Sequence, residues 1–480
     1  MNNKLMELIT DITDLEYTIN LINWELRISG SNESKDYLID VISRLEKKYY
    51  NLITSNEYGT FLKEELDNKE LSDIERIQIS NLYKDYKKNK CICEDFYIEY
   101  NKNILISTKV WEKAKKENNY ELFKPYLKKN IEMTKKYYSY ISNNNNNLYD
   151  TMLGEYETGI NMNLLDSLFD KLKEYLISLV KKIKTNSSDI KINYSNEEIK
   201  KISNYLLNYI GFDLNKGLVG IYPHGFTTKI NSKDIRIAIE NSNNPLSFIK
   251  TIIHEGGHGI FEENVDYNIA KYSNNSLNNI YALHESQSRF YENILSRNKN
   301  FWVPIYDDIK KLLKIDIDID EFMDKYNVVV PSLIRTEADE ITYGLHIIIR
   351  YEIEKEIFNN NLSVDDIPKM WNKKMRKYLG IEPKNDSEGL MQDIHWAECA
   401  FGYFPTYLLG NIYDGILVKL LEEKMGKIDD ILKNGDVKKI TKFLNNLIHK
   451  YGNSYPFKKL VNKEISVDPL IEFYNNRYNS

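Results

Sequence analysis

The sequence has no run of about 18 apolar residues, the minimum for a helix that crosses a membrane, so no membrane span or membrane partner is expected. Cysteine is scarce: only Cys91, Cys93 and Cys399 occur. Three is an odd number, and the C-x-C spacing of the first two is not the C-x-x-C of a zinc or redox site. Reduced thiols in a cytoplasmic protein are therefore expected, and a disulfide framework is excluded. Charge of one sign is also scarce. The balance of 65 Lys and Arg against 71 Asp and Glu leaves a net charge of -6. That is no basic footprint for nucleic acid or for an anionic membrane. The opening residues MNNKLMELITDITDLEY carry acids throughout and no continuous apolar core, so no secretory signal is expected.

Breakers are few as well, with ten prolines and twenty glycines in 480 residues. What is present reads mostly as helix. Apolar residues recur at spacings of three and four over Leu5–Leu26, Tyr37–Ile53, Ser72–Lys102, Leu164–Ile183 and Asp414–Lys424. The run Asn143–Asn147 reads as an exposed polar loop. One stretch differs: Leu218–Ile239 has short β-rich runs broken by Pro-His-Gly and by Asn-Ser-Lys-Asp, and it predicts a small antiparallel sheet. Length alone suggests about three domains, but no linker or internal repeat divides the chain, so residues 1–480 are expected to form one unit.

Directly after the sheet comes IIHEGGHGIFEEN, Ile252–Asn264. Pro245 suits a first helical turn, with Asn243 or Asn244 as cap. Leu246, Ile249, Ile253 and Ile260 form the apolar stripe, widened by Phe248 and Ile252. His254 and His258 lie one turn apart and project from one face, the spacing at which two imidazoles ligate one ion. Glu255, roughly 100° around the helix, can act as general base on a water without being a ligand. With only seven histidines in the chain, H-E-x-x-H arises by chance on the order of once in a hundred such sequences. The competing reading is two core histidines on an amphipathic helix. Gly256 and Gly257 lie between the histidines despite costing about 1 kcal/mol each in a helix. They admit either a substrate strand or a tightly packed neighbouring helix.

A third ligand is required. Leu283–Asn293 (LHESQSRFYEN) reads as helix, and Glu285 is the candidate, with His284 the neighbour to exclude. A His2Glu set leaves a position open to water, as a catalytic zinc needs. The alternative is that Glu285 only pairs with Arg289 on a surface. Further on, the residues from Pro331 to Ile357 read as one long helix. On it Arg335, Asp339, Thr342, His346 and Arg350 share a side. That stripe is either a solvated face with an Arg335–Asp339 pair or a wall of a wet cleft. In a cleft, an arginine can hold a carboxylate and Asp339 can orient a ligand histidine. In Gly389–Gly410, His395, Tyr403 and Tyr407 are candidate donors to a developing oxyanion, against a plain aromatic packing segment.

These residues resemble the M32 metallocarboxypeptidases, the thermostable-carboxypeptidase family. Its H-E-x-x-H, H-E-S-Q, I-R-x-x-A-D and G-x-x-Q-D-x-H-W motifs stand here as His254–His258, His284–Gln287, Ile334–Asp339 and Gly389–Trp396. H-P-F and D-x-R-x-T are altered, to His224-Gly225-Phe226 and Asp234-Ile235-Arg236-Ile237-Ala238. Looser similarity runs through Trp24, Trp111, the segment from Tyr149 and Gly402–Tyr407. The resemblance implies a mainly α, two-lobed helical body with a deep central groove and the metal at its floor. It also implies one divalent ion, Zn2+ or Co2+, a homodimer, and removal of residues from the free C-termini of peptide substrates. His254, His258 and Glu285 would bind the ion, and Glu255 would be the base. His395 with Tyr407 or Tyr403 would stabilise the oxyanion. Arg350 or Arg335 would anchor the terminal carboxylate, with Arg236, His224 and Gln392 as further substrate-binding candidates. The two altered motifs belong to the closed end of the family's groove. Glu398 and Cys399 stand where the family has smaller residues, which changes the expected lining near His395. The rivals are an oligoendopeptidase with the same site and an inactive helical scaffold.

Overall fold

A computed structural model describes residues 2–28, 31–142, 147–183, 190–272 and 279–478. It is mainly helical, as expected. The first six helices, from Asn3–Ile28 to Tyr120–Ile141, follow one another through short turns. The expected helix over 72–102 breaks at Ile92 and Cys93, both extended. Ile92 at the break is buried in a cluster with Phe96 and Met133. Of the asparagine run, residues 143–146 lie outside the described residues, while Asn147 caps the helix Leu148–Tyr156.

The sheet has three strands, β1 (Gly217–Ile221), β2 (Phe226–Asn231) and β3 (Asp234–Ile239), in the order β1-β3-β2. β2 and β3 form the expected antiparallel hairpin. β1 pairs parallel with β3, so the sheet is mixed rather than antiparallel. The reason is burial. Ile235, Ile237, Ala238 and Ile239 of β3 are all fully enclosed, so β3 takes the central place. Two chain reversals bring β3 back in the direction of β1, and strands so placed can only pair parallel. The N-terminal helix braces this sheet, with the Trp24 ring 5.6 Å from that of Phe226.

The histidine helix spans Pro245–Glu263, and Asn244 caps it through the N–H groups of Leu246 and Ser247. It packs against β3, the helix Asn196–Ile210 and the helix Tyr281–Arg289. Its two glycines face different neighbours. A Cβ on Gly256 would sit 2.6 Å from Ile210 and 2.7 Å from Leu207; one on Gly257 would sit 2.6 Å from the Gln287 carbonyl and 2.7 Å from Ser288 Cα. Helix packing, not a substrate strand, occupies the space both glycines leave.

The long helix expected from Pro331 starts only at Thr342 and runs to Asn359. Asp339 explains the difference. Its carboxylate accepts from the N–H groups of Ile341, Thr342 and Val330, which ends the loop and begins the helix. Arg335 and Asp339 therefore share no helical face with His346 and Arg350. The helix expected over 414–424 begins ten residues earlier, at Phe404, and ends at Met425. It is buried nearly all round, so its first half shows no amphipathic period.

The Gly257 contact yields a test. Gly257→Ala drives a methyl group into backbone, not a movable side chain. It should cost about 1–3 kcal/mol of unfolding free energy, measured by urea denaturation.

Candidate metal centre

His254 and His258 come from consecutive turns of the histidine helix, and Glu285 comes from the helix packed on Gly257. One ligating atom from each lies within 4.8 Å of the others. Glu285 Oε2 is 3.4 Å from His258 Nε2 and 3.9 Å from His254 Nε2. His284 is excluded, as expected. Its Nε2 pairs with Glu262 at 3.0 Å, and its ring stacks on His258 with centroids 4.5 Å apart.

Two residues not predicted from the sequence hold this set in place. Glu292 Oε2 lies 2.9 Å from His254 Nδ1, which leaves Nε2 to face Glu285. Arg289 donates from Nε to Glu285 at 2.8 Å and from Nη1 to Glu292 at 3.2 Å. The Glu285–Arg289 pair thus exists, but buried at the site and not on a surface. Glu292 sits in a π-helical continuation, Phe290–Leu295. It is seven residues after Glu285, and that spacing was the available signal. The expected orienting residue, Asp339, is instead spent on the start of its helix.

Burial alone would raise the Glu285 pKa. Arg289 and the two histidines outweigh it and hold the carboxyl well below the usual range. Burial and the neighbouring His284 push His258 down to about 3, keeping it a neutral imidazole, the form that ligates. Burial also acts to lower His254, but Glu285 and Glu292 overcome it and raise the pKa. The donor set fits a divalent ion: two imidazoles and an ionised carboxylate, with His254 already oriented through its other nitrogen.

Glu255 is buried beside them. Burial raises its pKa, opposed by His254 and by a hydrogen bond from Thr227. Thr227 Oγ1 lies 2.7 Å from Oε2 of that carboxylate and 3.0 Å from the Glu255 carbonyl.

Past Arg289 a second polar group begins. The Arg289 guanidinium lies 4.0 Å from the centre of the Tyr343 ring, and Arg335 Nη1 donates to the Tyr343 hydroxyl at 3.1 Å. Arg335 Nε donates to Asp393 Oδ1 and Arg350 Nε to Asp393 Oδ2. Asp393 was missed as a site residue, though it stands inside the quoted Q-D-x-H-W motif. Arg350 is fully buried, and its other nitrogens donate to His346 and Gln392. Gln392 is tied into the same frame, accepting from Arg335 N–H and donating to the Leu333, Glu388 and Gly389 carbonyls. Arg335 Nη2 has no hydrogen bond among the described residues. His395 Nε2 is 3.2 Å from the Tyr407 hydroxyl, and the Tyr403 ring is 5.1 Å from that of Tyr407. The charge of Glu285 acts on both phenols. Burial and Arg335 hold His395 down at about 3. Cys399 is buried against Thr134 and Tyr100.

Two candidates lie on the sheet side. Arg236 is committed to Asp234 at 2.9 Å and lies over Trp24. His224 is exposed in the β1–β2 connection.

The family model described as "Carboxypeptidase Taq (M32) metallopeptidase" matches residues 4–478. Carboxypeptidase 1 of Bacillus subtilis (strain 168) is 35% identical, over 99% of this chain and 98% of that one. Thermostable carboxypeptidase 1 of Pyrococcus furiosus is 28% identical, over 95% and 93%. A solved structure of Pyrococcus furiosus carboxypeptidase superposes with a TM-score of 0.93 at 26% identity, covering 100% of this chain and 99% of its own.

The role of Glu292 can be measured directly. Glu292→Gln should lower divalent-ion affinity about 10–100-fold, read by competition with a chelating indicator, and leave the helical circular dichroism unchanged.

Proposed function

Because the chain belongs to the carboxypeptidase Taq (M32) metallopeptidase family and is a metallocarboxypeptidase, we propose that it removes residues from the free C-termini of peptides with Glu255 as general base. The observation that carries this reading is a ligand triad within 4.8 Å with a buried, hydrogen-bonded carboxylate next to it on the same helix. His254, His258 and Glu285 would hold one divalent ion, zinc by preference and cobalt as an alternative. When bound, it supplies Lewis acidity, making water a nucleophile near neutral pH and polarising a carbonyl.

The protein's own groups do the rest. Glu255 takes the proton of the attacking water and later delivers it to the leaving amine. His395 and Tyr407 serve the developing oxyanion. With His395 Nε2–H donating to the Tyr407 oxygen, the Tyr407 hydroxyl keeps its own proton for the oxyanion. Tyr403, stacked edge-on against Tyr407, completes that wall.

Arg335 is the preferred anchor for the substrate carboxylate. One aspartate, Asp393, faces two guanidinium groups, which leaves a surplus positive charge. Arg335 has the unengaged nitrogen, whereas Arg350 is enclosed and acts through Asp393 and Gln392. Arg236 and His224 belong to the β1–β2–β3 side and are assigned to more distant parts of the peptide.

We assign the whole chain to one catalytic unit, two-lobed around a groove, acting as a homodimer in the cytoplasm. Free thiols at Cys91, Cys93 and Cys399 favour a reducing compartment. Among the described residues no helix is long and apolar enough to cross a membrane.

Digestion of one peptide with a free and with an amidated C-terminus, followed by mass spectrometry, tests the reading. Stepwise loss only from the free end, abolished by chelation and restored by zinc or cobalt, is expected. Internal cuts in both peptides would make it an oligoendopeptidase. Glu255→Gln should retain the ion and lose about 10²–10⁴-fold in kcat; full turnover in that variant would sink the general-base assignment.

A further inference from the structure

Glu255 has two carboxylate oxygens in unlike surroundings. Oε2 is 2.7 Å from the hydroxyl of Thr227, its side-chain donor among the described residues. Oε1 lies against Gly225, 3.2 Å from the point where a Cβ would stand, and takes no hydrogen bond from a described residue. A Cβ at Gly225 would also come 2.3 Å from Thr251 Cγ2. Only a glycine leaves both the threonine and the free oxygen in place.

The strand that carries Thr227 is also held by contacts other than the one to Glu255. Phe226, next to it, is held between Trp24 and Tyr222 at centroid distances of 5.6 and 5.5 Å, with the Arg27 guanidinium 5.2 Å from its ring. Asn20 Nδ2 donates to the Lys229 carbonyl at 3.2 Å. Lys229, two residues after Thr227 and so on the same face of the strand, pairs with Glu262 at 3.1 Å. Glu262 is seven residues after Glu255 and so on the same face of the helix. Two side chains of β2 thus meet two side chains of the histidine helix in register, one contact at the base and one beyond His258.

We propose that Thr227 is the positioning residue of the general base. Its hydroxyl clamps Oε2, fixes the rotamer of Glu255 and leaves Oε1, in the space cleared by Gly225, as the oxygen that moves the proton. The inference rests on Glu255 being the base. A carboxylate on a flexible stem that must meet a water within hydrogen-bond reach gains from such fixing, because misplacement of about 1 Å can cost about 100-fold in rate. The nearby glutamates Glu285, Glu262 and Glu292 are each held by a cation or an imidazole. Glu255 is held by a neutral hydroxyl, which orients it without engaging both of its oxygens.

The test compares Thr227→Val, which keeps the shape and removes the hydroxyl, with Thr227→Ser, which keeps the hydroxyl. Thr227→Ala carries the same expectation as valine and serves if valine does not fold. Thr227→Val should lower kcat about 10–100-fold with KM within about twofold, and Thr227→Ser should stay within about threefold of the parent. Zinc affinity of the metal-free protein, by competition with a chelating indicator, should be unchanged in all three within about threefold, unlike the loss expected for a residue that holds a ligand. An unchanged kcat in Thr227→Val, a serine variant as impaired as valine, or zinc affinity falling in step with kcat would each overturn the assignment. Glu255→Gln separates the two levels. If it is inactive while Thr227→Val is normal, only the role of Thr227 fails. If it is fully active, the base reading fails and takes this inference with it.

Discussion

The site depends on how closely two helices approach at Gly257. The histidine helix meets the Tyr281–Arg289 helix where a single added carbon would collide with the Gln287 carbonyl and Ser288 Cα. That contact sets the distance from the two imidazoles to Glu285, because Glu285 lies one turn before Ser288. It also delivers Arg289 and Glu292, four and seven residues after Glu285, to the same face. A second close approach works on the far side of the glutamate helix. A Cβ on Gly410 would stand 3.0 Å from Ser286 N, so the Phe404–Met425 helix presses Glu285 toward the histidines from behind. Small residues here substitute distance for side-chain packing, and the penalty of helical glycine is offset by the contacts the approach allows.

With the backbone so fixed, buried charge governs the arrangement of side chains. An isolated carboxylate or guanidinium is costly in a water-poor interior and strongly destabilising when its partner is lost. The ionised groups along this path accordingly share partners. Arg289 serves Glu285 and Glu292, Asp393 serves Arg335 and Arg350, and Tyr343 lies between the two arginine groups. The result is a continuous chain from the His254–His258–Glu285 triad to the Arg335–Asp393–Arg350 group. Displacing one member disturbs the next, which favours a rigid site over one assembled on binding.

Much of this was legible in the sequence, and the unreadable parts share a cause. The H-E-x-x-H spacing pointed to His254 and His258 as neighbours in the triad because a helical period maps spacing directly onto a face. Glu285 followed from a charged residue in an otherwise helical segment. The Thr342 helix start was missed because an i,i+4 pattern of polar residues continues through Arg335 and Asp339 although the backbone does not. Asp339 takes its role from hydrogen bonds to backbone N–H groups, which periodicity does not encode. The first half of the Phe404–Met425 helix was missed because a helix buried on every side carries no amphipathic signal. The parallel pairing of β1 is not legible because turn residues report a reversal but not which strand lies at the centre. Thr227 and Asp393 were overlooked because their partners are distant in sequence.

The distribution of charge around the site also bears on what it accepts. On the metal side, Glu255, Glu285 and Glu292 cluster about the Arg289 guanidinium, with Arg297 also acting on Glu292, so carboxylates outnumber these cations when the histidines are neutral. A divalent cation offsets that surplus. Without the ion, the same surplus favours protons, and the raised pKa of His254, where Glu285 and Glu292 outweigh burial, is the response. On the other side of Tyr343 the sign reverses, with two guanidinium groups sharing one aspartate. A peptide whose terminal carboxylate lies at the arginines and whose last amide carbonyl lies at the metal matches both ends of this field at once. An amidated peptide would match only one, so the charge pattern supports the proposed anchoring of a free C-terminus at the arginines.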